Sequence, residues 1–248
     1  HPLSRAADAN ISDAILLAEK IKVDDEAAGA YLIDGGFFMT EALYQVKPSK
    51  NPNAKGPRFS LGSLSKDKTK IRKIKNYPAN TDLIVEYVYD SASPVIRGGS
   101  DVTDARSVSI VMRHSLIEMP KNDYVPRYDD PRVGYFTTQV TDLTSTAVAP
   151  YRDMIKRWHL KKKDPNAKLS KPVKPITFWI ENTTPKEIRK IVKKGALSWN
   201  TAFEAAGFKD AIEVKIQPDD ADWDAGDIRY NVLRWTSSPR PPFGGYGP

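Results

Sequence analysis

The chain has 248 residues, 40% of them hydrophobic and 10% aromatic, with 19 prolines, no cysteine and a formal net charge of +7. That is enough apolar chain for one large or two ordinary domains, which excludes a disordered protein. The lack of cysteine excludes disulfides, thiolate metal sites and cysteine nucleophiles, and no run reaches the roughly 18 apolar residues of a membrane span.

The opening HPLSRAADAN has neither a charged start nor an apolar h-region, so it reads as an internal or processed start. Ile15–Ile21 and Ala30–Ile33 are the first strand candidates. Asp34, Gly35 and Gly36 make a turn, and Phe37–Val46 is either a short helix or another strand. Residues 47–58 are a loop by composition, and Asp67–Lys70 supplies a further turn. Lys66, Lys68, Lys70, Arg72, Lys73 and Lys75 form one basic cluster and Lys161, Lys162 and Lys163 another. Neither is interleaved with stacking aromatics, so solvated loops are expected rather than a nucleic-acid surface.

Leu83, Val85, Tyr87 and Tyr89 share one face of a strand, with Ile84, Glu86 and Val88 on the other. Val108, Ile110, Met112 and Leu116 mark a second long strand whose alternation slips near Ile117, implying a bulge or bend. The stretch SASPVIRGGSDVTD joins the two as a hairpin. MPKNDYVPRYDDP is a connector, Gly134–Val140 and Tyr151–Leu160 are strands, and KKKDPNAKLSKPVKP is a second connector.

Lys174–Gly207 reads as a strand, a turn and a helix. Ile176–Ile180 is a β-branched and aromatic run between prolines. Thr184 then caps a helix with Pro185 at its first position and Glu187 completing a capping box. Ile188, Ile191, Val192, Trp199, Ala202, Phe203 and Ala206 recur at helical spacing, giving one apolar face about twenty residues long that has to pack on a sheet. Gly207 ends it. Ile212–Ile216, the acidic loop PDDADWDAGD and Ile228–Trp235 complete a β-α-β-β order, which favours a right-handed crossover with parallel pairing.

Chemistry-bearing residues are sparse. His1, His114 and His159 are far apart, and none has an acidic residue and a second histidine at helical spacing. His114, in a strand, is expected to be structural, because zinc needs three or four ligands. His159 is expected at a surface or interface. His1 lacks the further nitrogen ligands of a copper site. Asp219, Asp220, Asp222, Asp224 and Asp227 lack the glycine-pivoted register of a calcium loop, so a solvated loop is expected. Ser107, Ser109 and Ser115 have no GxSxG elbow. Trp179, Trp199, Phe203 and Trp235 are expected to be core aromatics. No residue of the chain is therefore assigned a catalytic, cofactor-binding or metal-binding role.

Seven segments, IKNYPANTDLIVEYVYD, RHSLIEMP, YDDPRVGYFTT, HLKKKDP, PVKPITFWIENTTP, ALSWNTAFEAAGFKDAIEV and DIRYNVLRW, occur in an order that resembles a family of large, exported bacterial zinc-dependent metalloproteases. In these an uncharacterised, mainly β domain precedes a metzincin-like catalytic domain. The resemblance covers most of the chain from about Asp67 onward; DDPRVGYF, WNTAFEAAGF and RYNVLRW are its most specific pieces. It implies an α+β chain: a mainly antiparallel β accessory domain over 1–120, a connector with pairing strands over 121–172, and the β-α-β-β opening of a metzincin-like domain over 173–248. The family's HExxH zinc motif does not occur here. The chain is thus expected to be an inactive fragment of a zinc metallopeptidase, with SSPRPPFGGYGP leading into the next element. Zinc is expected in the intact parent and no cofactor in this chain. The rest of the catalytic domain and a peptide or protein substrate are the expected partners, with no nucleic acid and no membrane span, and the location is exported: periplasmic, outer-membrane-associated or extracellular. The alternative reading is a non-catalytic β-rich module that binds protein or glycan or acts as a scaffold.

Overall fold

The computed structural model describes residues 15–47, 53, 55–56 and 58–237. His1 and the rest of the opening stretch, part of the 47–58 loop and most of SSPRPPFGGYGP lie outside the described residues. What is described is mainly β, with 31% strand against 11% helix. Contacts sort it into two compact units, residues 15–118 with 218–237, and residues 119–217.

In the first unit, Val23–Asp25 (β1) and Ala30–Leu32 (β2) form a small antiparallel hairpin. The expected strand at Ile15–Ile21 is irregular chain, with Ile15 82% exposed and no partner strand among the described residues. Gly35–Met39 is a 3-10 helix, started by the Asp34 carboxylate, which accepts from the Gly36 amide at 2.9 Å. Its Phe38 is buried against the main sheet of the unit.

That sheet is built from Ser63–Leu64 (β3), Lys70–Asn76 (β4), Asn80–Asp90 (β5) and Ser107–Ile117 (β6). β5 is central: it pairs antiparallel with β6 along its whole length, and with β4 and β3 over successive stretches. The period of two puts Leu83, Val85, Tyr87 and Tyr89 on one face, where all four are buried with Phe38. Ile71, Ile110 and Met112 pack against them from the flanking strands. Burial of each such large side chain is worth about 1.5–3 kcal/mol, which makes this row the main source of the unit's stability.

Two expectations are corrected here. β6 runs in unbroken register from Ser107 opposite Asp90 to Ile117 opposite Asn80, so there is no bulge near Ile117. The bulge lies instead in β4, between Ile71 and Lys73. This strand occupies most of the first basic cluster, which was expected to be a loop. Ile71 and Ile74 are three apart, a spacing no regular strand puts on one face, and the bulge at Arg72 absorbs the extra residue so that they pair with Val85 and Leu83.

In the second unit, Thr137–Thr141 (β7) and Tyr151–Ile155 (β8) form an antiparallel pair. Ile176–Ile180 (β9) and Ile212–Ile216 (β10) pair in parallel, as the strand-helix-strand order implies. Between them run Lys186–Leu197 (α1) and Asn200–Ala205 (α2), with α1 packed on β10 and β9. The expected single helix is thus two. The Asn200 side chain explains the break: its amide donates to the Ile212 carbonyl at 3.0 Å and its oxygen accepts from the Ile212 amide at 2.8 Å, which ties the start of α2 to the strand.

The expected capping box does not form either. The Thr184 hydroxyl is buried without a hydrogen-bond partner, and Arg189 donates instead to the Thr184 and Asn182 carbonyls at 2.8 and 2.6 Å. Only part of the expected apolar face is covered. Ile188, Val192 and Phe203 are partly buried, whereas Ile191 and Trp199 are 70% and 65% exposed. The last described strand, Asn231–Leu233 (β11), is shorter than the expected Ile228–Trp235.

Gly207 ends α2 at φ +89°, and a Cβ there would lie 2.9 Å from the Lys168 carbonyl. Gly207→Ala is expected to destabilise the chain by about 1–3 kcal/mol, read as an earlier midpoint in urea unfolding. An unchanged midpoint would show that the turn relaxes freely.

Candidate functional site

The register of β6 separates the residues that sequence alone had set side by side. Ser107, Ser109 and Ser115 are odd-numbered and His114 even-numbered, so they point to opposite faces of the strand and form no serine–histidine pair. Ser109 donates to Glu86 at 2.7 Å. His114 lies on the core side, 2.7 Å from the Tyr87 hydroxyl through Nε2. That hydroxyl also donates to the Phe38 carbonyl at 2.5 Å. A phenol has one proton and a carbonyl can only accept, so Nε2 must carry the hydrogen and donate to Tyr87. Burial holds the His114 imidazole below its usual 6.5. Next to it, Tyr89 donates to Glu41 at 2.9 Å. Burial first, and then the Glu41 carboxylate, push the Tyr89 phenol up.

His159 sits at the surface with Nε2 3.0 Å from Asp123, which Lys161 also engages. Those hydrogen bonds, from Lys161 first, hold the Asp123 carboxyl at about 2. Among the described residues no group of three or more His, Asp or Glu side chains stands close enough together to hold a metal ion.

The most concentrated polar chemistry is one that sequence reasoning passed over. The four-residue turn Tyr77–Asn80 between β4 and β5 closes with the Tyr77 amide donating to the Asn80 carbonyl at 2.8 Å. Against this turn lies the acidic loop of residues 218–230, and the two are stitched together. Lys75 pairs with Asp224, and the Tyr77 hydroxyl donates to Asp224 Oδ1 at 2.6 Å. The buried Asn80 amide donates to the Gly226 carbonyl and to Asp82 Oδ1, each at 2.9 Å, and its oxygen accepts from the Ile228 amide at 3.2 Å.

Asp82 itself is 1% exposed, with Arg113 Nε 3.5 Å from its other oxygen. A side chain at Gly226 would crowd the clasp. A Cβ would lie 2.6 Å from the Tyr77 hydroxyl and 2.8 Å from Asp82. Further along, Asp227 is 1% exposed and held by Arg229 in a two-pronged pair at 2.6 and 3.0 Å.

The acidic loop is therefore only partly solvated. Asp219, Asp220 and Asp222 are exposed as expected, whereas Asp224 and Asp227 are engaged. Burial works to raise the Asp224 carboxyl, but Lys75, Tyr77 and the Gly226 amide outweigh it and hold it at about 2. Burial and the adjacent Asp224 push the Tyr77 phenol up. The available signal was the aspartates' company: glycine at Gly226 and arginine at Arg229 mark a folded turn rather than a solvated run.

The chemistry assembled at this clasp holds chain to chain. It offers no nucleophile beside a base and no convergent metal ligands. In comparison with known proteins, the model of one family, described only as a domain of unknown function (DUF5117), matches residues 1–163, and the chain belongs to that family. No curated protein and no solved structure matches it.

Asn80→Ala strips partners from two buried groups, Asp82 and the Gly226 carbonyl, and from the part-buried Ile228 amide. It is expected to cost about 1–3 kcal/mol for each group left unpaired, measured by urea unfolding; a loss below about 0.5 kcal/mol would mean that water replaces the amide. His114 gives a pH signature. With its folded pKa below the unfolded 6.5, its contribution is present above that value and lost as pH falls through the folded one. The unfolding midpoint should drop between pH 7.5 and 5.5, and the drop should shrink in His114→Gln, which keeps a donor for Tyr87.

Proposed function

We propose that the chain is the non-catalytic N-terminal portion of an exported zinc-dependent metallopeptidase. In the intact parent, zinc-activated water would hydrolyse peptide bonds. Zinc would be held by residues outside this chain, whose role is to scaffold the rest of the catalytic domain. The observation that carries this reading is the parallel β9–β10 pair bridged by α1 and α2, a unit of the kind that opens a metzincin-like domain. It coincides with two of the segments that resemble the family, PVKPITFWIENTTP and ALSWNTAFEAAGFKDAIEV. Fold alone does not carry function. The weight therefore rests on the sequence segments and the unit together.

A second reading, a protein- or glycan-binding scaffold, draws on β6, where Val111, Leu116 and Ile117 are each about half exposed. One experiment separates the two. The chain is produced alone and with its natural continuation, and zinc content and peptide hydrolysis are measured on both. The metallopeptidase reading expects stoichiometric zinc and chelator-sensitive hydrolysis only in the continued protein. A continued protein with neither zinc nor hydrolysis would sink it and leave the scaffold reading.

A further inference from the structure

The chain leaves the first unit after Glu118 and re-enters it at Pro218. Both crossing points are fixed to the same short turn. At the exit, the Glu118 amide donates to the Ala79 carbonyl at 3.0 Å. At the return, Asp224 is bound by Lys75 and Tyr77, and Gly226 and Ile228 are bound by Asn80. The Tyr77–Asn80 turn therefore holds both ends of the excursion.

We propose that residues 218–230 are a returning strap of the β unit that hosts β5, held in place by the Lys75, Tyr77 and Asn80 clasp. The host's structural boundary then differs from the family match. That match ends at residue 163 and omits the strap. Without the strap, Asn80 at 4% exposure and Asp82 at 1% lose the groups that cover them. The strap is in effect an internal peptide ligand of the host sheet. It is recognised by an aspartate on a lysine–tyrosine pair, by a glycine that leaves room for the Tyr77 hydroxyl and the Asp82 carboxylate, and by two main-chain bonds to one asparagine.

The test cuts the strap's tether in the whole protein. A specific protease site is inserted after Asp220, which is exposed, and the purified chain is cleaved and run on a sizing column. The C-terminal piece is expected to stay with the body of the protein and to be released at least about tenfold faster in Asp224→Ala, which removes a charge-assisted pair. Asp224 belongs to the strap rather than to the sheet, so this variant leaves the sheet's own residues in place; Tyr77→Phe serves as the second variant. Circular dichroism of the cut protein reads the β content. Prompt loss of the piece with the sheet intact would overturn the proposal, as would retention unaffected by both substitutions.

Discussion

A carboxylate buried in a sheet dictates much of what surrounds it. Asp82 lies in the central strand, on the face opposite Leu83, Val85 and Tyr87, at 1% exposure. A charge withdrawn from water is costly unless it is hydrogen-bonded and paired. The sheet alone supplies Arg113 at 3.5 Å from the strand beside it and Asn80 two residues back. Asn80 in turn is fully used only when the Gly226 carbonyl and the Ile228 amide are present. One buried charge thus propagates a demand for partners from β5 to a segment more than 140 residues later in the chain.

The opposite face solves a gentler version of the same problem. Tyr87 and Tyr89 fill the core with their rings, and each needs somewhere to put a hydroxyl. The 3-10 helix and a residue two positions beyond it provide both places, the Phe38 carbonyl and the Glu41 carboxylate. The same segment covers the apolar row with Phe38 and satisfies the polar tips, so a five-residue helix with little intrinsic stability is fixed by what it caps.

How much of this could be read from sequence follows from the range of each interaction. The alternation in Leu83–Tyr89, the β9 run and the parallel order around the helix are local or nearly so, and the structure keeps all three. The failures were mostly long-range. The helix was expected to run on past Trp199 because its apolar spacing is unbroken, and it stops where Asn200 finds Ile212 twelve residues away. Thr184 had the right neighbours for a cap, yet Arg189 bonds the carbonyls there and the hydroxyl is left buried. The clasp was invisible because nothing near Tyr77 announces a partner at Asp224. The family-like segments did hold such residues: Arg229 opens RYNVLRW and locks Asp227, and Asn200 and Gly207 lie within WNTAFEAAGF.

The basic cluster over residues 66–75 shows how misleading a count of charges is when strand register is unknown. Lys68 pairs with Asp90, Lys70 and Arg72 approach Glu86, and Lys75 pairs with Asp224. Three of these four cations face carboxylates of β5, and the fourth faces the strap. Exposed pairs of this kind add little stability one by one. Their effect is on specificity: a slip of β4 by one residue along β5 that set Lys70 opposite Val85 would take Ile71 off the apolar row. Most of the positive run is thus half of a charge ladder whose acidic half lies on β5, and it favours the register that places Tyr77 and Asn80 where the strap arrives.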